Sequence, residues 1–268
     1  MTVKVAIAGA AGRMGQTLIR CLHSPAGEGM ELCGTFDQPG HPRLGQAADP
    51  AHGGTVRICE SFEEAVKEAD VLIDFSAPVA TAEIAGQSAA RPLPLVVGTT
   101  GLQPKQIKTL QAASELTPVV FAANMSLGIN LLLDLVQRAA EALRDKGFDL
   151  EIIERHHRLK KDAPSGTALA LGEAAAEALH RDLLRDARHG REGLAGERTR
   201  EEIGFHAIRG GDIIGEHTVL FAGEGETVEL RHAATSRDTF ALGALRAAQW
   251  VVSRKPGLYS MRHVLGLE

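Results

Sequence analysis

One stretch near the start of the chain, "VKVAIAGAAGRMGQTLIRCLH", constrains the fold more than any other. Residues 3–8 are a short apolar run of β-forming type. Gly9, Gly12 and Gly15 follow in G-x-x-G-x-x-G spacing, and apolar residues then recur at helical intervals. Strand, glycine turn and helix together place backbone N–H groups and a helix N-terminus beneath a phosphate. The spacing departs from G-x-G-x-x-G, so the motif alone leaves open a turn that serves only strand–helix packing. Residues 30–37, "MELCGTFD", add a second strand ending in Asp37, 22 residues after Gly15. An acid so placed accepts hydrogen bonds from ribose hydroxyls and repels a 2′-phosphate. Gln38 and Pro39 follow it, with no basic residue beside it.

Further units repeat the style. Residues 69–78, 94–102 and 117–126 read as strands running into polar or glycine turns, with helices at 81–90 and 103–116 between them. Strands alternating with helices imply a parallel, doubly wound α/β sheet of Rossmann-like type. Its ligand belongs outside the carboxyl ends of the strands. Gly9–Gly15, Asp37, Phe75–Ala77, Gly98–Thr100 and Ala122–Met125 all fall at such ends, and five loops on one rim predict one site.

The pattern changes after residue 127. Residues 128–147 predict a long amphipathic helix stopped by Gly147, and 148–154 a strand. Ser165 is placed to cap a helix over 166–184. Residues 185–202 are charged, without apolar period, and read as a long exposed loop. Three β runs, "IGFHAIR", "IIGEHTVLFA" and "TVELRHAA", are joined by glycine turns and predict an antiparallel meander. A tail helix over 240–254 is expected to return to the first lobe. The division is residues 1–127 with 237–268 as a dinucleotide-binding domain, and 128–236 as an inserted α+β lobe with an open mixed sheet.

A net charge of −5 and 4% aromatic residues exclude a broad basic nucleic-acid face. Three cysteines without Cys-x-x-Cys spacing fit neither a disulfide framework nor a zinc knuckle, and point to a reducing, cytoplasmic setting. The start lacks the basic and apolar regions of a signal peptide, and no window approaches the roughly 18–20 apolar residues of a membrane helix.

Residues 154–169, "ERHHRLKKDAPSGTAL", are the most unusual stretch. His156 and His157 are adjacent, so on a strand they point in opposite directions. Four cations nearby would repel a metal ion, and no metal is expected here. A solvated basic turn is the plain alternative. The stretch follows a strongly apolar strand, however, and ends in Ser-Gly-Thr at a helix N-terminus, where N–H groups and the dipole favour an anion. Lys160, Arg158 and that terminus suit a carboxylate or a phosphate, and a histidine beside them can move a proton near neutrality. An anionic small substrate, reduced by hydride and protonated, uses all of these parts.

The stretch "EIIERHHRLKKDAPSGTA" resembles the signature of the 4-hydroxy-tetrahydrodipicolinate reductase (dihydrodipicolinate reductase) family of lysine and diaminopimelate biosynthesis. The resemblance runs on, in order, through "GAAGRMG", "VVGTTG", "FAANMSLGIN" and "GDIIGEHTVLFA". It implies an NAD(P)H-dependent reductase of a small dicarboxylate. Gly9, Ala10, Ala11, Gly12, Arg13, Met14, Asp37, Gly98, Thr99, Thr100, Ala122, Ala123, Asn124 and Met125 would hold the cofactor. His156 matches the proton donor/acceptor and Lys160 the catalytic lysine. His157, Ser165, Gly166 and Thr167 match the substrate-gripping positions. The inserted lobe would bind substrate and mediate a homotetramer through its sheet edges. Three positions depart from patterns in the family: Gln38 where some members have arginine, Ala77 where some have a basic residue, and Met125 where an aromatic is usual. With Asp37 before Gln38, NADH is expected to be preferred, NADPH remaining possible. Another two-lobed dehydrogenase of an amino or imino acid would explain the first half but not the histidine–lysine loop. A non-catalytic dinucleotide sensor would have no need of His156 with Lys160.

Overall fold

Strict alternation along short apolar strands builds the first sheet. In β1 (Val3–Ala8), Val5 and Ile7 enter one core cluster, and Ala6 and Ala8 enter another on the opposite face. Strands β4 (Val71–Asp74), β5 (Leu95–Val97) and β6 (Pro118–Phe121) split in the same way, so both faces are apolar and both must be covered. The computed structural model describes residues 2–268. Contacts divide the chain into one unit of Met1–Leu127 with Asp238–Glu268 and a second of Gly128–Arg237.

In the first unit the strand order is β12-β6-β5-β4-β1-β2-β3, with β2 at Met30–Phe36, β3 at Ile58–Cys59 and β12 at Gly257–Tyr259. All its pairings are parallel. Helices α1 (Arg13–Leu22) and α8 (Asp238–Val251) supply one core, and α2 (Phe62–Ala65), α3 (Pro78–Ala90) and α4 (Pro104–Ser114) the other. The expected doubly wound sheet is therefore present. The short elements β3, α2, β12 and α9 (Met261–Leu265) carry too few residues to show a period in the sequence.

The second unit has a five-stranded mixed sheet in the order β11-β10-β7-β9-β8, with β7 at Asp149–His156, β8 at Ala187–His189, β9 at Ile203–Arg209, β10 at Gly215–Gly223 and β11 at Glu226–Ala234. Leu150 and Ile152 of β7 (Asp149–His156) pack with α5 (Leu127–Leu143) and α6 (Gly166–Leu179) on one face. The meander is only half right. β10 (Gly215–Gly223) and β11 (Glu226–Ala234) form an antiparallel hairpin across the Gly225 turn, at φ +82°. β9 (Ile203–Arg209) does not pair with β10: it runs parallel to β7, which lies between them. Glycine turns locate strand ends, but they do not choose neighbours, and β7 has the buried alternation of a central strand.

The segment expected as an exposed loop is partly ordered. It holds the end of α7 (Leu183–Asp186) and β8 (Ala187–His189), which pairs with β9. Beyond them Arg191 and Arg198 donate to Glu151 on the open face of the sheet, at 2.7 and 3.0 Å, and Arg198 also reaches Asp149 at 2.8 Å. Burial pushes the Glu151 carboxyl up, but donors from Arg191, His206 and Arg198 outweigh it and hold its pKa at about 2. Alternating sign at a distance in sequence has no periodicity to betray it.

Helix α8 packs closely because of Gly243. A Cβ there would stand 1.7 Å from the Met125 carbonyl oxygen. Gly243→Ala should cost about 3 kcal/mol or more through overpacking, read as a lowered urea midpoint; an unchanged midpoint would contradict the close packing.

Candidate active site

The glycine turn of the first unit is shaped by what its residues lack. Gly9 takes φ +68°, and a Cβ on it would lie 2.9 Å from the Phe75 carbonyl oxygen. A Cβ on Gly15 would lie 2.4 Å from the Gly9 carbonyl, so the third glycine lets α1 approach the turn. Gly12 is the N-cap of α1 and offers no side-chain cap. Ala10 is buried, Ala11 and Met14 are half-buried, and Gly12 and Arg13 are exposed. Asp37, one residue past β2, accepts from Ala11 N–H at 2.8 Å through Oδ2 and from Gln38 N–H at 2.8 Å through Oδ1. That places its carboxylate against the turn.

A cleft of about 920 Å³ runs beside this turn, lined by Gly9, Gly12, Asp37, Gln38 and Phe75. Glu60, Glu63 and Glu83 also line it, and none of its described lining residues is Arg or Lys. A second hollow of about 650 Å³ lies at the amino ends of the strands, around Asp70, Pro94 and Pro118. The first sits at the carboxyl ends, where an open α/β sheet takes its ligand.

The other rim residues lie outside the cleft lining. Gly98 donates from its N–H to Asp74 O at 2.9 Å, and the Phe75 ring leaves no room for a Cβ on it. Thr99 is buried and Thr100 exposed; Ala122 N–H donates to Val97 O at 3.2 Å, and Ala123 is exposed. Asn124 Oδ1 accepts from Ser126 N–H at 2.9 Å. Met125 is 1% exposed, with its side chain in the core. The sulfur therefore packs inward, unlike a side chain laid on a cofactor.

In the second unit the site grows out of the buried face of β7. Leu150 and Ile152 give way on that face to Glu154 and His156, both still buried. His156 Nδ1 lies 2.5 Å from Glu154 Oε2. Arg209 donates to both carboxylate oxygens of Glu154 at 2.8 Å, and Ser165 N–H donates to Oε1 at 3.1 Å. The ion-paired Glu154 makes Nδ1 the protonated nitrogen of His156 and leaves Nε2 to exchange a proton. A Cβ on Gly215 would sit 3.1 Å from Nε2, so the glycine keeps that edge clear.

Ser165 caps α6 as its position predicts: Oγ accepts from Ala168 N–H at 3.2 Å and lies 3.1 Å from His217 Nε2. Gly166 is exposed and Thr167 half-buried in the first turn. His157 is the first residue after β7, half-buried, and its carbonyl accepts from Lys160 N–H at 3.1 Å. Lys160 Nζ pairs with Asp162 at 2.9 Å. Glu154 thus joins His156 and Ser165 directly, and the Lys160 charge acts on His156.

Burial sets the titration. It lowers His156 below the ordinary histidine range, and the opposing pull of Glu154 does not restore it. Burial likewise depresses His217, to about 4. Burial raises Glu154, but Arg209 and His156 overcome this and hold it low. At neutral pH the cluster is one carboxylate, one guanidinium and two neutral imidazoles.

Glu154, Arg209 and His217 have no role in the sequence reading, though Glu154 and His217 stand inside the stretches it singles out. Glu154 had a signal: two residues before His156 on a strand, it shares the same face. Arg209 and His217 reach the site only through the pairing of β9 and β10 with β7, for which the sequence has no marker.

A doubly wound parallel sheet with a glycine turn and an acid after its second strand, in a chain that also holds a buried carboxylate–histidine pair, defines an oxidoreductase that uses a nicotinamide dinucleotide. Residues 3–125 match the family described as dihydrodipicolinate reductase, N-terminus, and residues 128–265 its C-terminus. The chain is 53% identical over 270 aligned positions to the 4-hydroxy-tetrahydrodipicolinate reductase of Thiobacillus denitrificans, and 51% identical to that of Alkalilimnicola ehrlichii, with 100% of each chain covered. A dipicolinate-bound dihydrodipicolinate reductase from Paenisporosarcina sp. TG-14 superposes with TM-score 0.76 at 26% identity, over 97% of this chain and 98% of that one. A probable dehydrogenase from Thermotoga maritima, at 11% identity and TM-score 0.61, shares the fold. The chain belongs to the dihydrodipicolinate reductase family. No helix among the described residues is long and apolar enough to cross a membrane.

A histidine whose folded pKa is depressed stabilises the fold fully above its unfolded value and less as pH falls below it. His217, at about 4 against ~6.5 unfolded, should therefore cost on the order of 3 kcal/mol between pH 7 and pH 4. His217→Gln should flatten the decline of thermal midpoint with acidification over that range; an equally steep decline would assign it to other groups.

Proposed function

We propose that the chain reduces 4-hydroxy-tetrahydrodipicolinate to tetrahydrodipicolinate, with NADH preferred over NADPH, as a step of lysine and diaminopimelate biosynthesis. The observation that carries this reading is the Glu154–His156 pair, with Nδ1 committed to a buried carboxylate and Nε2 clear. It stands in a chain aligned end to end with relatives bearing that enzyme's name.

The first unit fits a dinucleotide. Its turn excludes side chains at Gly9 and Gly15, where a Cβ would meet backbone at 2.9 and 2.4 Å, and its helix begins at an uncapped glycine. Gly9 through Met14 would cradle the pyrophosphate, and Asp37 the adenosine ribose. Gly98 through Thr100 and Ala122 through Asn124 would border the nicotinamide, with Met125 supporting that turn from the core. Bound nicotinamide supplies the hydride. Asp37, Glu60, Glu63 and Glu83 make the cleft unfavourable to an added 2′-phosphate, which supports the NADH preference.

The second unit does the acid–base work. The first turn of α6, at Ser165, Gly166 and Thr167, and the Lys160 ammonium attract the substrate's carboxylates, with His157 as a further contact. Those carboxylates bring negative charge to His156 and favour its imidazolium, offsetting the burial that keeps it neutral at rest. Overall one hydride and one proton are taken up and the 4-hydroxyl leaves as water; His156 Nε2, with Lys160, handles the proton. Cytoplasmic residence is proposed with this role. A homotetramer is proposed through β11, a nine-residue edge strand with most of its residues exposed.

The test is NADH oxidation dependent on the product of pyruvate and aspartate-semialdehyde condensation; failure with both nicotinamides would overturn the assignment. His156→Gln should lower kcat by about 10²–10⁴-fold while NADH affinity stays within about twofold; an unchanged kcat removes His156 from the chemistry. Gln38→Arg should raise the NADPH-to-NADH ratio of kcat/KM by roughly tenfold, and a wild-type preference for NADPH would place the 2′-phosphate on other residues.

A further inference from the structure

Away from the groups assigned above, three side chains converge where α1 ends beside the segment linking β2 to β3. His23 is the C-cap of α1, Asp49 caps the short 3-10 turn Pro50–His52, and His52 is its last residue. His23 Nε2 pairs with Asp49 Oδ2, and His52 Nδ1 lies 2.9 Å from Oδ1 and 3.1 Å from Oδ2. The two imidazoles stack with centroids 3.9 Å apart and planes 16° from parallel. One ligand atom from each residue lies within 4.8 Å of the other two, the one such group among the described residues.

We propose that this cluster is a site for a divalent transition-metal ion of the zinc type, held by His23 Nε2, His52 Nδ1 and an Asp49 oxygen, with water completing four-coordination. Two imidazoles and a carboxylate form a nitrogen–oxygen donor set suited to such an ion, with a position left for water. Asp49 is 6% exposed and held in place: His52 N–H donates to Oδ1 at 3.3 Å, and Gly54 N–H donates to the Asp49 carbonyl at 3.1 Å. The imidazoles are more than a third exposed, so an ion and its water can enter. The negative end of the α1 dipole favours a cation beside His23. Arg20, the basic residue of that last turn, is paired instead with Asp238. Nearly parallel rings cannot both direct a nitrogen lone pair at one ion, so binding turns at least one of the two exposed imidazoles out of the stack. The bound ion would fasten the segment that carries Asp37 and Gln38 to α1.

The test titrates chelator-stripped full-length protein with Co²⁺. One equivalent should give the intense visible bands of four-coordinate cobalt, which one equivalent of Zn²⁺ bleaches, and Zn²⁺ should raise the thermal midpoint. His23→Gln and His52→Gln should each weaken binding by roughly tenfold or more, and the double variant should lose both the bands and the thermal shift, with metal-free reductase activity unchanged. Wild-type protein that binds no cobalt, gives only weak six-coordinate bands, or keeps its affinity in the double variant would overturn the site. The wild-type spectrum decides the coordination even if a variant folds poorly.

Discussion

A single buried carboxylate organises the second unit. Glu154, 1% exposed, accepts from His156, from both Arg209 nitrogens and from the Ser165 backbone, and so joins β7, β9 and the start of α6. A charge in that position is tolerable only with its partners present, since an unpaired buried ion costs several kcal/mol. The apolar face of β7 can therefore turn polar at its carboxyl end without leaving the core. The same bonds commit Nδ1 of His156 to Glu154, so in the proposed reaction the element that stabilises the fold would also set the direction of proton movement.

Charge is distributed differently in the two units, and each distribution suits a different ligand. The described lining of the cleft by the glycine turn holds four carboxylates and no Arg or Lys, so the phosphates of the proposed cofactor would rest on backbone N–H groups and the α1 terminus. The cluster around Glu154 is close to neutral, and the Lys160 ammonium and the α6 terminus supply positive potential. An anion arriving there works against the desolvation that depresses His156. Burial favours the uncharged histidine, and in the proposed reaction a bound dianion would make its protonation favourable.

Much of the first unit was legible because its signals are local. The run 3–8, the glycine spacing and Asp37 each fall within a few residues of the element they mark, and every long strand and helix from β1 to α5 appears close to where its period placed it. His156, Lys160 and the Ser165 cap were visible for the same reason. What escaped reading was contact between distant segments. Arg209 meets Glu154 across 55 residues and His217 meets Ser165 across 52, with no spacing rule to announce them. Met125 was readable as a rim residue, but its burial depends on Gly243 in α8, far along the chain.

The placement of β9 beside β7, a departure from the sequence reading, is also what assembles the cluster. Had β9, β10 and β11 formed a consecutive meander, β9 would lie against β10, and β7 could not pair with both. With β7 between them, His217 stands opposite Glu154 in the antiparallel register, and Arg209 is paired with His156 in the parallel one. Because side chains alternate along a strand, that register sends all four to the same buried face. A slip of one residue in either pairing would turn His217 or Arg209 to the opposite face and leave Glu154 short of its guanidinium or Ser165 without its imidazole. The mixed sheet serves the site as well as the apolar core: only a central β7 has Arg209 of β9 on one side and His217 of β10 on the other.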